Sequence, residues 1–557
     1  MRHLTLPARQ KITFQALAGG ALIALASAAV LTWLSKHEFV GFDSFWHVFV
    51  ARQETWSAFW REILENTHPP FFHLLLKAAI GLFGTSVLVY RAVPIAGIGI
   101  ATVFIALAVA TATRNAPLAI VAAAAFGLSA NAIEIGIEIR SYGIFLAADA
   151  AATAVWLEWL GKMPRATSPG TRIVFAAASS FAVLSHYSGF FVLAAMLATP
   201  PVLYLSHRRW RIKLTRELSR HGAALAAMFG VPCLVAVSVY WVLVHRYHNG
   251  LAHVAGFMFE AGTESRWAFV LRNGRNLLQL FVPSFGMPAG LVLGIWSVIG
   301  LVIFGILLSG LRQGHLAAVP LVTLVLLLFA NVVAGLAGRY PFGGNSRHEL
   351  FLFPFAILVL FAGIDGARRM MPSVWSSNRL WTTASAAAVA TTVWLTLSSI
   401  PLFAEQPAWR AQINRFRSDF AMPPAVLVDQ FNLVMFFGHY HDWRWHLRWQ
   451  DLHDPMCQVW EVSQGDQRFS VCRAQAWQLD FSQSTAYADL SECLDRSGSK
   501  SVAVFRTQAD GLKPTWDLTA TPALAHAYAP KAGLAVQTID VDGNNVYALF
   551  QASAKRN

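Results

Sequence analysis

Gly41-Phe42-Asp43-Ser44-Phe45-Trp46-His47 follows the first long apolar run of the chain, and Thr67-His68-Pro69-Pro70 opens the next one. The first stretch sets an acid at the end of an apolar helix. Between the two lies a segment, 44–64, in which Phe45, Phe49, Trp56, Phe59, Trp60, Ile63 and Leu64 recur at roughly helical spacing among Arg52, Glu54, Arg61 and Glu62. That pattern predicts a helix lying in a membrane interface. Such a helix would roof a cavity at headgroup level, where a partly desolvated carboxylate gains basicity and suits proton abstraction from a hydroxyl. Asp43 is therefore the first candidate catalytic residue.

The surrounding chain supports a membrane setting. It has 557 residues, 55% hydrophobic and only 13% charged, which excludes an ordinary soluble protein and a single-span receptor. A crossing needs about 20 apolar residues. Runs of that kind predict eleven spans, near 12–34, 87–111, 115–133, 141–157, 173–185, 187–205, 222–244, 288–310, 316–337, 349–364 and 381–401. Residues 69–84 predict a shorter, partly embedded helix. Trp33, Trp241 and Trp394 stand towards span ends, where amphipathic rings favour the interface. The apolar sequence runs on past the small residues around Ala26–Ala29 to Leu34, so span one is expected to stay rather than be cleaved as a signal.

Charge orients these spans. With Arg2, Arg9 and Lys11 in the cytoplasm, the inside segments hold a clear excess of Lys and Arg, most densely in 206–221, while the outside loops are nearly balanced. The net charge of +13 is thus a topology signal and speaks against a nucleic-acid partner. The uncharged run 173–205 would reach about 50 Å as one helix, too long for one crossing. Basic loops on both flanks require an even number of crossings there. A break at His186-Tyr187-Ser188-Gly189 satisfies both demands and puts His186 and Tyr187 on the same side as Asp43. The same alternation leaves 36–86, 134–140, 186–189, 245–287, 339–348 and 402–557 outside.

After residue 402 the pattern changes. The tail has no run of membrane length and holds strand-like pieces at 425–430, 501–507 and 534–551, with a hairpin turn expected at Asp542-Gly543-Asn544-Asn545. The expected domains are therefore 1–401, polytopic α-helical, and 402–557, a soluble extracytoplasmic mixed α/β domain. Cys457 and Cys472 flank an expected hairpin and are the candidate disulfide in an oxidising compartment. Cys493 is then left over, so the connectivity stays open.

Further outside elements carry polar chemistry. Glu134-Ile135-Gly136-Ile137-Glu138-Ile139-Arg140-Ser141-Tyr142 opens span four, and Asn345-Ser346-Arg347-His348-Glu349 opens span ten. Arg140 and Arg347 can each present a planar donor fork to a phosphate, as can Arg91 at the start of span two. Each can equally be a solvated helix end. Arg266, Arg272 and Arg275 are weaker candidates. His68 starts a helix with Pro69 and Pro70 in its first turn. His68 and His73 are five apart, no standard metal pair. Asp149 lies mid-span, where an acid is either functional or satisfied by hydroxyls of the bundle. In the tail, Trp443, Trp445 and Trp449 with His439, His441 and His446 suit either sugar stacking or a membrane surface. No nucleotide-binding loop, zinc spacing or nucleophile elbow occurs. A divalent metal is possible but not indicated. An energised donor outside the membrane has to be carried on lipid, since nucleotide sugars are cytoplasmic.

In order and sidedness these residues resemble the integral-membrane GT-C glycosyltransferases: Asp43 after span one, the aromatic loop, His68-Pro69-Pro70, Leu82-Phe83-Gly84, Tyr90-Arg91, Glu138 to Tyr142, His186-Tyr187 and Arg347. The likeness is greatest to the branch holding protein O-mannosyltransferases, the lipid A aminoarabinose transferase and the lipopolysaccharide-core galacturonosyltransferases, and covers roughly 10–365. It implies transfer of a sugar from a polyprenyl phosphate to an envelope lipid, glycan or protein acceptor outside the bacterial inner membrane. Asp43 would be the catalytic acid/base. Arg140, Arg347 and Arg91 would hold the donor phosphate, and His68, Glu138, Tyr142, His186 and Tyr187 would shape the site. Many members carry Asp-Glu where this chain has Asp43-Ser44. The rival readings are a transporter or flippase of lipid-linked sugars, which places polar groups near the midplane, and an assembly protein whose tail binds a partner.

Overall fold

The computed structural model describes residues 8–36, 40–65, 69–163, 168–245, 257–281, 289–344, 346–373, 375–399, 425–450, 457–474, 479–506, 520–542 and 545–553. His68 lies outside them. The chain forms two compact units. One comprises 1–38, 60–82 and 88–402; the other comprises 39–59, 83–87 and 403–557.

The first unit is helical. Its elements are α1 (Ala8–Leu34), then, after the helices α2 (Phe42–Ala51) and α3 (Trp56–Glu65), α4 (Phe71–Phe83), α5 (Val87–Thr113), α6 (Ala116–Gly127), α7 (Ala130–Ile137), α8 (Tyr142–Lys162), α9 (Pro169–Ser185), α10 (Gly189–Ser206) and α11 (Arg208–Val239). It continues with α12 (Arg266–Phe281), α13 (Ala289–Arg312), α14 (Val319–Leu336), α15 (Ser346–Glu349), α16 (Phe353–Met370) and α17 (Asn378–Ser399). Among the described residues eight helices are long and apolar enough to cross a membrane, or nine if the pair α6–α7, bent by 52°, counts as one. This is a multi-pass membrane protein. Eleven spans were expected; α9 falls short of the usual length at 17 residues and carries Arg172, and the apolar part of α13 that is fully described begins only at Ser297.

Helix α8 is the buried axis of this unit, enclosed along most of its length with Trp156 and Trp159 fully inside. A helix that is apolar all round belongs in such a core. Asp149 within it is fully buried and accepts from the Thr153 hydroxyl at 3.4 Å. The run 173–205 is broken where expected: α9 ends at Ser185 and α10 starts at Gly189. Gly189 is required there, because a Cβ would lie 2.6 to 2.8 Å from backbone atoms of Ala182 and Val183. His221, with φ −134° and ψ 20°, separates the basic helical start of α11 from its apolar remainder. Trp33, Trp241 and Trp394 stay largely exposed on the protein surface, as interface anchors do.

The second unit is built on a seven-stranded sheet ordered β2-β3-β4-β1-β5-β7-β6, with β1 (Ala425–Val428), β2 (Arg444–Gln450), β3 (Gln458–Gln464), β4 (Gln467–Arg473), β5 (Ser501–Arg506), β6 (Leu534–Asp542) and β7 (Asn545–Ala552). Strand β1 runs parallel to both β4 and β5, and the other pairs are antiparallel. Its four residues are all buried, the continuous apolar pattern of a central parallel strand. Helices α18 (Gln430–His439), α19 (Ser484–Ser497) and α20 (Thr521–Tyr528) pack with the sheet. Asp542 pairs with Asn545, which makes the expected hairpin; its loop, 543–544, lies outside the described residues. The disulfide joins Cys472 to Cys493 and does not include Cys457. The expected Cys457–Cys472 pair is thereby corrected. Cys472 points to the side of β4 on which α19 folds back, a tertiary relation that hairpin spacing does not report.

The segment 44–64 also departs from expectation. It is two helices, α2 and α3, interrupted at 52–55, and α2 belongs to the second unit. Phe45 and Phe49 are buried against protein, not lipid. An apolar helix face reads the same in sequence whichever partner covers it.

Candidate functional site

In the membrane unit three segments distant in sequence meet. The first lies between α7 and α8. Ser129 caps α7 by accepting from the Ala132 amide at 3.1 Å, and Glu138 ends the helix in extended backbone, φ −72° and ψ 134°. Extended backbone alternates its side chains: Ile139 is fully buried while Glu138 and Arg140 are half-buried. The Arg140 guanidinium donates to the Tyr142 hydroxyl at 3.1 Å and lies 5.6 Å from the centre of that ring.

The second segment is the break between α9 and α10. The His186 ring sits against Tyr142 and Phe145, with centroids 5.2 and 5.4 Å apart. Its Nδ1 is 2.9 Å from the Ser188 hydroxyl. That hydroxyl is 2.7 Å from the phenol oxygen of Tyr340, in the third segment, where the Tyr340 hydroxyl donates to the His348 carbonyl at 3.1 Å. Burial raises the Tyr340 phenol well above its ordinary value, against the opposing hydrogen bond to Ser188. The neighbouring Arg347 closes the circuit with a 3.5 Å ion pair to Glu138. Fully buried Glu349 anchors the loop below, accepting from the Gly343 amide at 2.7 Å and from the Asn331 amide group.

Of the residues singled out in sequence, the structure brings Glu138, Arg140, Tyr142, His186 and Arg347 into one cluster. Tyr187 stands apart from it, packed with the apolar group of Val183, Leu193 and Val239; burial pushes its phenol up too. Arg91 is almost fully buried and donates to the Ser35 carbonyl at the end of α1. Arg272 pairs with Glu264, and Arg266 lies over Phe259. Asp43 is in the other unit, exposed in the first turn of α2. Ser188, Tyr340, Asn331 and Glu349 join the cluster without having been expected. The polar block at 345–349 was the one sequence signal for the last of these.

The expected surface role of Trp443 and Trp445, on sugar or on the membrane, is corrected. Trp443 and Trp445 are core residues: Trp445 packs on Phe437 at 4.8 Å and Trp443 on Tyr440 at 5.0 Å. Arg496 covers Trp449 at 4.2 Å, and His446 meets Glu54 at 2.9 Å. Among the described residues no group of three His, Cys, Asp or Glu is placed to hold a metal ion.

Chemically, the cluster offers two guanidinium forks beside a carboxylate, a phenol and an imidazole. Forks of that kind match the oxygens of a phosphate. The Glu138–Arg347 contact is partly exposed and long, so it is weak and open to exchange for a stronger anion.

No family model and no curated protein matches the sequence. Among solved structures, ArnT from Cupriavidus metallidurans in the apo state is 12% identical with a TM-score of 0.51, over 96% of this chain and 98% of that one. The same protein bound to undecaprenyl phosphate is 13% identical at 0.45, over 95% and 97%. The Archaeoglobus fulgidus oligosaccharyltransferase AglB, in complex with an inhibitory peptide and a dolichol-phosphate, is 11% identical at 0.45, over 98% and 74%. The likeness at 0.51 shows the fold alone: a polytopic helical membrane unit followed by a sheet domain. The two at 0.45 add nothing to it.

Proposed function

We propose that this chain is a glycosyltransferase that moves a sugar from a polyprenyl phosphate to a hydroxyl of an envelope lipid, glycan or protein, on the periplasmic side of a bacterial inner membrane. A fold alone does not fix an activity. The observation that carries the reading is the convergence of Arg140 and Arg347, with Glu138, Tyr142 and His186, from three segments that the charge pattern puts on one side of the membrane. An arginine pair at that depth suits an anionic headgroup, and a lipid-borne donor is the energised sugar available there.

In the proposed reaction Asp43 accepts the proton of the acceptor hydroxyl as its oxygen bonds to the anomeric carbon. The bond from that carbon to the phosphate oxygen breaks, and the electron pair leaves with the polyprenyl phosphate. One displacement inverts the anomeric centre. Arg140 and Arg347 stabilise the charge growing on the phosphate, the kind of contribution expected to be largest in a site shielded from water. Arg91, tied to the Ser35 carbonyl, serves by holding the outer end of α5. The Cys472–Cys493 disulfide supports an oxidising compartment for the sheet domain. The flippase reading gains little: the polar groups gather at helix ends, and the mid-span acid Asp149 stands apart from them, one oxygen accepting from Thr153 and the other buried without a hydrogen bond among the described residues.

Mass spectrometry of the lipid that co-purifies with the protein tests this reading. A polyprenyl phosphate, with or without its sugar, is expected; its consistent absence from active preparations would overturn the donor class.

A further inference from the structure

The helix that carries Asp43 is built into the sheet domain. A ten-residue helix is marginal in water on its own and depends on packing, and α2 takes that packing from α18 and the strands beside it. Phe45, Phe49 and Arg52 follow one another at four and three residues, one face of a helix. The Phe45 ring stacks on His441 with centroids 5.9 Å apart, and Phe49 meets Phe437 edge-on at 5.3 Å and Trp460 at 5.8 Å. Beneath Phe45 lies Gly438, where a Cβ would come 2.4 Å from the ring.

Arg52 closes the C-terminal end of the contact. Its guanidinium donates to the carbonyls of His441 and Trp443, the latter at 2.8 Å, and lies 5.2 Å from the centre of the Phe437 ring. Nearly fully buried Arg473 sets its guanidinium 5.8 Å from the Phe49 ring. Asp43 precedes Phe45 by two positions, about 200° around the helix. It therefore projects away from the anchored stripe, and it is exposed.

We propose that the sheet domain is the positioning element of the reaction, with Gly438, His441 and Arg52 fixing the height and rotation of α2 and so the aim of the Asp43 carboxylate. These residues touch the base's helix and not the substrate; their part is positioning, and the inference rests on Asp43 being the base. A misplacement of about 1 Å at a reacting group can cost about 10²-fold in rate.

The test uses full-length protein in lipid nanodiscs, with glycosylated polyprenyl phosphate extracted from bacterial membranes as donor and free polyprenyl phosphate as the binding probe. Gly438→Ala sets a methyl group against Phe45. Its kcat is expected to fall about 10- to 100-fold while polyprenyl-phosphate affinity stays at the wild-type value. Phe45→Leu combined with Gly438→Ala makes room for the methyl and recovers part of the loss. Arg52→Lys keeps the charge but gives up the fork, shows the same split, and carries the test if Gly438→Ala does not fold. Wild-type kcat in Gly438→Ala and Arg52→Lys, with Asp43→Asn inactive, would overturn the positioning role alone. Full turnover by Asp43→Asn would overturn the base itself. A parallel loss of kcat and phosphate affinity in both positioning variants would mean general unfolding and also count against it.

Discussion

Arg140 and Arg347 illustrate how far a single residue can be read. Each stood in the sequence as an arginine at the outside end of a span, a position that a solvated helix end fills equally well. Their separation of roughly two hundred positions hides the fact that Glu138 bridges to one and precedes the other by two residues. The structure supplies that link through the 3.5 Å contact to Arg347 and the hydrogen bond from Arg140 to Tyr142. If both forks hold a phosphate, Arg140→Lys and Arg347→Lys keep the charge and lose the bidentate geometry. Each is expected to weaken polyprenyl-phosphate binding by about tenfold, on the order of one charged hydrogen bond, as read by titration. Wild-type affinity in both variants would return them to a structural role.

At the scale of elements, the sequence was most legible where composition and length constrain each other. The break at His186 followed from a run too long for one helix and from basic flanks. The hairpin at 542–545 followed from turn chemistry between two alternating strands. Sequence and structure part where an apolar face can be covered by lipid or by protein. The pattern predicts lipid against Phe45 and Phe49, which are buried against Phe437, His441 and Trp460, and a surface for Trp443 and Trp445, which lie in the core. Periodicity reports that a face is apolar, not what meets it. The break itself yields a prediction. Gly189→Val would drive a side chain into the backbone of Ala182 and Val183, and overpacking of that kind costs about 1–3 kcal/mol. The variant is expected to melt at a lower temperature in detergent and to disturb the His186–Ser188–Tyr340 chain. An unchanged melting temperature would show that the α9–α10 junction tolerates the strain.

For the whole molecule, the fold class could be read from hydropathy and from the change of pattern after residue 402, and the structure and its likeness to ArnT bear that out. The disulfide partner and the place of α2 could not be read, because both depend on where distant segments fold back. Sidedness rests on charge. With Cys233 replaced, the native thiol of Cys457 and a cysteine introduced as Lys213→Cys report the two faces. An impermeant maleimide applied to spheroplasts is expected to label residue 457 and not residue 213; the reverse would put the sheet domain in the cytoplasm and remove Asp43 from the face assumed for transfer. The central claim is that Asp43 takes the acceptor's proton. Release of polyprenyl phosphate from its glycosylated form by purified Asp43→Asn measures it most directly. A fall of at least about 10²-fold in turnover, with polyprenyl-phosphate affinity and melting temperature at wild-type values, is the expected result. Turnover within a few-fold of the wild type would contradict it.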